Sequence, residues 1–138
     1  MNRTFILSMV GFFVTTMAVA YPWHMLLFHE QYVAMGAFTR IEPLMPFGMA
    51  AITLQAFVFA YFYPLFLAHH KRKSTIASGI KFSFLMGLTV YSVMVLATAA
   101  KFQIEPVSQF FIYGTLFQLI QFVAVGIVLG LLHRTKTG

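Results

Sequence analysis

Four long apolar runs, parted by short polar stretches, dominate the chain. They extend from Thr4 to Phe28, from Leu44 to Leu67, from Ile76 to Ala100 and from Val107 to Leu132, and none contains an acidic residue. An α-helix rises 1.5 Å per residue, so about 20 apolar residues cross the roughly 30 Å hydrocarbon core of a bilayer. Each run is long enough. Membrane strands would instead show about ten residues of alternating polarity between turns, whereas Phe5 to Val19 and Phe122 to Leu132 are apolar on nearly every side. Helices, moreover, satisfy their own backbone in lipid. The pattern predicts an all-α membrane protein, a single domain over residues 1–138. It would be a four-transmembrane-helix bundle whose short connections make neighbouring spans antiparallel.

Composition closes off the soluble alternative. Of 138 residues, 60% are apolar and 9% charged, against about 25% charged in ordinary soluble domains. The absence of cysteine excludes disulfides, iron–sulfur clusters, thiolate zinc sites and covalent c-type haem. The net charge of +6 is informative through its placement. Arg3, Lys71, Arg72, Lys73, Lys81, Arg134 and Lys136 fall near one membrane face, and only Arg40 and Lys101 near the other. Because cationic loops resist translocation, both termini and the His69–Lys73 loop are expected to be cytoplasmic, in a bacterial inner membrane. Glu30, Glu42 and Glu105, the only acids in the chain, then face outward. The run Lys71 to Lys73 is too short for a nucleic-acid surface, and topology already accounts for it; no nucleic-acid partner is expected.

Two features of the chain have competing readings. The N-terminal Met-Asn-Arg, its apolar run and Ala18-Val19-Ala20 imitate a cleavable secretory signal, yet apolar character resumes at Trp23 to Phe28, which favours a retained first span. Ile41-Glu42-Pro43 recurs as Ile104-Glu105-Pro106, and the same offset of 63 residues carries Gln55 onto Gln118. This suggests a parallel two-helix internal repeat, related by an axis along the membrane normal. Independent use of an acid and a proline at two helix starts explains the echo equally simply.

Small residues at intervals of four (Gly79, Ser83 and Gly87; Gly126 and Gly130; Ala56 and Ala60) mark faces where helices approach closely. Pro22 is placed to kink the first span. Tyr21, Trp23 and Tyr32 suit an outer aromatic belt, and Tyr61 with Tyr63 an inner one.

Polar groups at membrane depth are the first candidates for chemistry. Gln55, Gln118 and Gln121 are the only amides in the span interiors, and with Trp23 they form the candidate ligand-binding set; the rival role is an interhelical amide pair. His24, His29 and Glu30 are the candidate metal ligands. A spacing of five turns the two imidazoles about 140° apart on an ideal helix, and solvated interfacial histidines are the rival. Asp is absent, as are a nucleotide-binding glycine pattern, a nucleophile elbow and in-span carboxylates, so hydrolysis and phosphoryl transfer lack their usual residues.

The expected function is that of a non-catalytic membrane protein without a cofactor. It would bind membrane lipid and a lipidic or aromatic small molecule, or serve as an accessory subunit of a larger complex. The alternatives are a small homodimeric transporter or channel, and a metal or haem redox protein using the outer-face histidines.

Overall fold

A computed structural model describes residues 2–40, 42–71 and 73–134, so Ile41, Arg72 and Lys136 of the readings above lie outside the described residues. The described residues are helical, without strands. Four helices are long and apolar enough to cross a membrane: α1 (Arg3–Leu27), α3 (Met45–His69), α4 (Ile76–Lys101) and α5 (Val107–Leu132), with a short α2 (His29–Ala34) between the first two. These mark the chain as an integral membrane protein. The helix bounds fall within two residues of those expected, the largest shift carrying α3 past Leu67 to His69.

Local chemistry explains the starts. Asn2 caps α1, its Oδ1 accepting from the Thr4 N–H at 3.2 Å, and Thr75 caps α4, its Oγ1 accepting from the Ser78 N–H at 3.1 Å. Pro46 lies in the first turn of α3, where no N–H is needed.

Two of the long helices are not α-helical throughout. Pro22–Leu27 at the end of α1 and Ser92–Ala97 in α4 are wound as π-helix. Pro22 has no N–H to return to Ala18, and the helix widens here, the Phe28 N–H reaching back five residues to the Trp23 carbonyl at 3.1 Å. In α4 the carbonyls disturbed by widening are taken by hydroxyls: Ser92 Oγ donates to the Thr89 carbonyl at 2.7 Å and Thr98 Oγ1 to the Val93 carbonyl at 3.1 Å. Side-chain hydroxyls commonly re-satisfy backbone in this way inside membranes.

Helix α5 is the hub. It packs on α4 and on α1, and α1 in turn packs on α3. Because lipid is as apolar as a side chain, close backbone approach rather than water exclusion holds such helices. The approach is tightest where Gly79 of α4 meets Gly126 and Gly130 of α5: a Cβ at Gly126 would come within 2.5 Å of the Ile80 Cα, and one at Gly130 within 2.5 Å of the Thr75 carbonyl oxygen. The small-residue spacing thus serves contacts inside this chain. A core of Phe12, Phe59, Tyr63, Phe82, Phe122 and Leu129 draws on all four long helices.

A second apolar cluster lies toward the α1–α3 and α4–α5 connections. Tyr32, Met35, Val95, Ile104 and Phe110 form it, with Trp23 and Phe38 packed against them, and α3 contributes nothing. The first turns of α3 instead stand apart, with Phe47 73% exposed. Gly36, at φ +77°, reverses the chain after α2, a conformation that favours glycine. Just before it the Met35 carbonyl accepts from the Glu105 N–H at 3.0 Å, joining the two connections.

The aromatic belts are only partly as expected. Tyr21 and Tyr61 are exposed, but Tyr32 and Tyr63 are buried. Each has a hydroxyl partner inside the protein, from Trp23 and Ser74 respectively, and so needs no interfacial water.

Candidate functional site

The two π-helical stretches border the same space. Between the end of α1, α2, α4 and α5 lies a cavity of about 180 Å³, walled by Tyr32, Phe38, Phe110 and Phe117, floored by Val95 and Gly114, and carrying His24 and Gln118 in its lining. His24 comes from the π-helical turns of α1 and Val95 from those of α4; π-helical turns within α-helices recur at functional sites. Gly114 lets α4 approach here, since a Cβ would meet Val95 Cγ2 at 3.0 Å.

The His24 ring lies among aromatics, its centroid 4.5 Å from Phe117, 5.0 Å from Tyr32 and 5.8 Å from Phe38. Phe38 stacks on Tyr32 at 5.0 Å, held there because the Ala37 and Phe38 N–H groups both return to the Tyr32 carbonyl. The Tyr32 hydroxyl accepts from Trp23 Nε1 at 3.1 Å, which leaves its own proton to donate. Burial pushes the Tyr32 pKa above its usual value, the Trp23 hydrogen bond opposing and the neighbouring Tyr113 reinforcing that rise, so the group stays a phenol at neutral pH.

His24 and Gln118, two residues of this lining, each carry one fully buried atom without a hydrogen-bond partner, Nδ1 and Oε1 respectively. Gln118 is only 7% exposed. Leaving a buried polar atom unpaired costs about 1–3 kcal/mol, and here two such atoms belong to residues that line one space. Thr16 Oγ1 and Ser83 Oγ are also buried without partners, but neither lines this cavity. No carboxylate, lysine or arginine lines it either, so its chemistry is that of neutral donors and acceptors among rings.

The other candidates disperse. Gln121 is buried but outside the cavity lining; Gln55 is half-buried on α3. Trp23 stands behind the wall, touching Phe28 and Phe117 at 4.5 and 6.0 Å and bonding to Tyr32. His29 lies across Phe38 from His24, at 6.0 Å from the Phe38 ring, in an outer opening of about 310 Å³ that also holds Arg40. Among the described residues no three His, Cys, Asp or Glu side chains gather as a metal site. His24 and Gln118 were each candidates in the sequence, but Tyr32 read as belt, and Phe38 and Gly114 carried no sequence signal that singled them out.

Comparison with protein families, curated proteins and solved structures finds no match to this chain, so the site is interpreted from its geometry alone.

Proposed function

We propose that this chain is a non-catalytic four-span protein of a bacterial inner membrane, with antiparallel neighbours, that holds a lipidic or aromatic small molecule in the cavity between α1, α4 and α5. One observation carries the reading: an imidazole, an amide and a phenol, those of His24, Gln118 and Tyr32, line one otherwise aromatic and apolar space. Specific small-molecule sites commonly combine apolar walls with a few convergent polar groups. The antiparallel arrangement is supported by contacts that run down α5 as they climb α4: Gly79 with Gly126, Gly87 with Phe122, Val95 with Gly114.

Small molecules retained through purification, identified by mass spectrometry after extraction, test the binding reading. Replacing Gln118 with Leu should reduce the retained molecule while the protein stays folded. Unchanged retention with lost stability would leave the amide a packing element only. An absorption spectrum and metal analysis test the redox alternative, since stoichiometric haem or metal would move the function to His24, His29 and Glu30.

Orientation follows the cations, with Arg3, Lys71, Lys73 and Arg134 at the cytoplasmic end. Cysteines at Lys73 and Thr39, both exposed, should label from opposite sides. Ser74 is a poor labelling position because it is buried. The parallel repeat is favoured by the placement of Gln55 ten residues after the start of α3 and Gln118 eleven after the start of α5, and by the π-helical turns in both α1 and α4. Gln55, half-buried where α3 leaves its neighbours, favours the second reading, an accessory subunit that meets another chain along α3.

A further inference from the structure

We infer that the cationic end of the bundle binds one anionic phospholipid, in a surface cleft between the start of α1 and the ends of α3 and α5. The site is separate from the aromatic cavity and stands whatever that cavity holds. The cleft measures about 590 Å³ and is lined by Asn2 and Phe5 at the start of α1, Tyr61 and Leu65 of α3, and Leu132 and Arg134 at the end of α5. That volume lies within the roughly 300–1,000 Å³ of small-molecule sites.

Depth divides this lining as a lipid itself is divided. Asn2 precedes α1 and Arg134 follows the last residue of α5 by two positions, so both stand at the level of the helix ends. Tyr61 lies eight residues before the end of α3, about 12 Å further in at 1.5 Å per residue, and the apolar Phe5, Pro64 and Leu65 line the cleft with it. A soluble anion would use only the outer part, whereas a phosphate that carries acyl chains uses both. Tyr61 and Leu65 are half-exposed on α3, which opens the cleft to chains arriving from the bilayer.

Charge selects the headgroup. Arg134 lines the cleft, Arg3, Lys71 and Lys73 belong to the same end, and the only three acids of the chain, Glu30, Glu42 and Glu105, lie in α2 and the connections at the other end. A guanidinium matches phosphate geometry, and basic pockets between spans take anionic headgroups. A zwitterionic lipid brings its own ammonium into this field and gains less. Topology explains why cations gather at one end, but not why one of them lines an apolar-walled cleft. Lys73, exposed at the same end and outside the lining, therefore serves as the control.

Native mass spectrometry of the full chain in detergent, with dioleoyl phosphatidylglycerol or dioleoyl phosphatidylcholine added, counts the lipids held. One phosphatidylglycerol per chain is expected, bound about fivefold more tightly than phosphatidylcholine, the difference that one cation makes at a charged lipid surface. Arg134→Gln should abolish that preference and Lys73→Gln should leave it intact; both positions are exposed, so neither change disturbs the core. Leu65→Trp, which fills the apolar part of the cleft, should weaken both lipids alike. Glycerol phosphate at the same concentration should displace neither. Equal binding of the two lipids, or equal losses in Arg134→Gln and Lys73→Gln, would overturn the inference in favour of general attraction to a basic surface. Lipid binding unchanged in Leu65→Trp would remove it from the cleft, and displacement by glycerol phosphate would make the cleft a site for soluble anions instead.

Discussion

The two ends of this bundle treat buried polar groups in opposite ways. At the cationic end, where α1 and α4 begin and α3 and α5 finish, Ser8, Tyr63, Ser74 and Ser78 are paired, and only deeper in the bundle are Ser83 and Thr16 left without partners. Ser74 Oγ donates to the Gly130 carbonyl at 3.0 Å, so the Tyr63 hydroxyl, 2.9 Å away, must be the donor to Ser74. Ser8 Oγ likewise gives its proton to the Thr4 carbonyl, which obliges His133 Nε2, at 2.8 Å, to carry the hydrogen. At the other end the helices widen into π-helical turns, α3 departs, and His24 and Gln118, each with one unpaired buried atom, line a space. The contrast teaches where a small membrane protein can place a site. Glycine contacts draw α4 onto α5 at one end, whereas at the other the helices widen and a space opens between α1, α4 and α5.

The comparison can be broken most forcefully at the closed end. A side chain at Gly79 would fall on the Gly126 carbonyl, so Gly79→Val must drive α4 from α5, at a cost of about 3 kcal/mol or more. Unfolding in mixed micelles measures it, with Gly48→Ala, which meets nothing within 4 Å, as the neutral control. A loss equal to that of the control would show that the glycine contact does not hold the bundle.

Ser74→Ala removes the partner of the buried Tyr63 hydroxyl and of the Gly130 carbonyl together, and should cost about 2 kcal/mol in the same assay. Tyr63→Phe in the Ser74→Ala background should recover part of that loss by removing the stranded hydroxyl.

Acid sharpens the contrast. Burial lowers the His133 pKa from its ordinary 6.5, so the unfolded chain takes up this proton more readily than the folded one. The stability contribution is therefore complete above about pH 6.5 and declines as pH falls from there toward the lowered folded value. His133→Gln, which keeps an N–H for Ser8 but does not titrate in this range, should flatten the slope of stability against pH between 7 and 5. An unchanged slope would assign the acid sensitivity to other groups.

The smallest effect is expected at the open end. Because Gln118 Oε1 has no partner to lose and its unpaired burial is itself unfavourable, Gln118→Leu should not lower stability and should raise it by about 1 kcal/mol. A loss as large as that of Ser74→Ala would show the amide to be part of the packing and erase the distinction between the two ends.

Much of the fold could be read along the chain. Four apolar runs longer than a bilayer is thick admit only helices, and a proline, an asparagine and a threonine mark the starts of α3, α1 and α4. The charge of Lys71 and Arg134 and the apolarity of Phe122 to Leu132 are properties of local sequence, independent of what packs against them. The facing of each helix is different. In a soluble protein the buried stripe differs from the wet face in polarity, but here lipid and protein interior are equally apolar and that contrast vanishes. Nothing in the pattern distinguishes buried Tyr63 from exposed Tyr61, or Gln118 in a cavity wall from Gln55 on the flank of α3. Long-range packing made those choices. The meeting of His24 with Gln118, residues far apart in the chain, depends on how α1 and α4 widen, on Gly114 admitting Val95, and on Phe38 folding over Tyr32. The sequence determined what could enter the membrane; the tertiary structure decided which polar residues would line one space inside it.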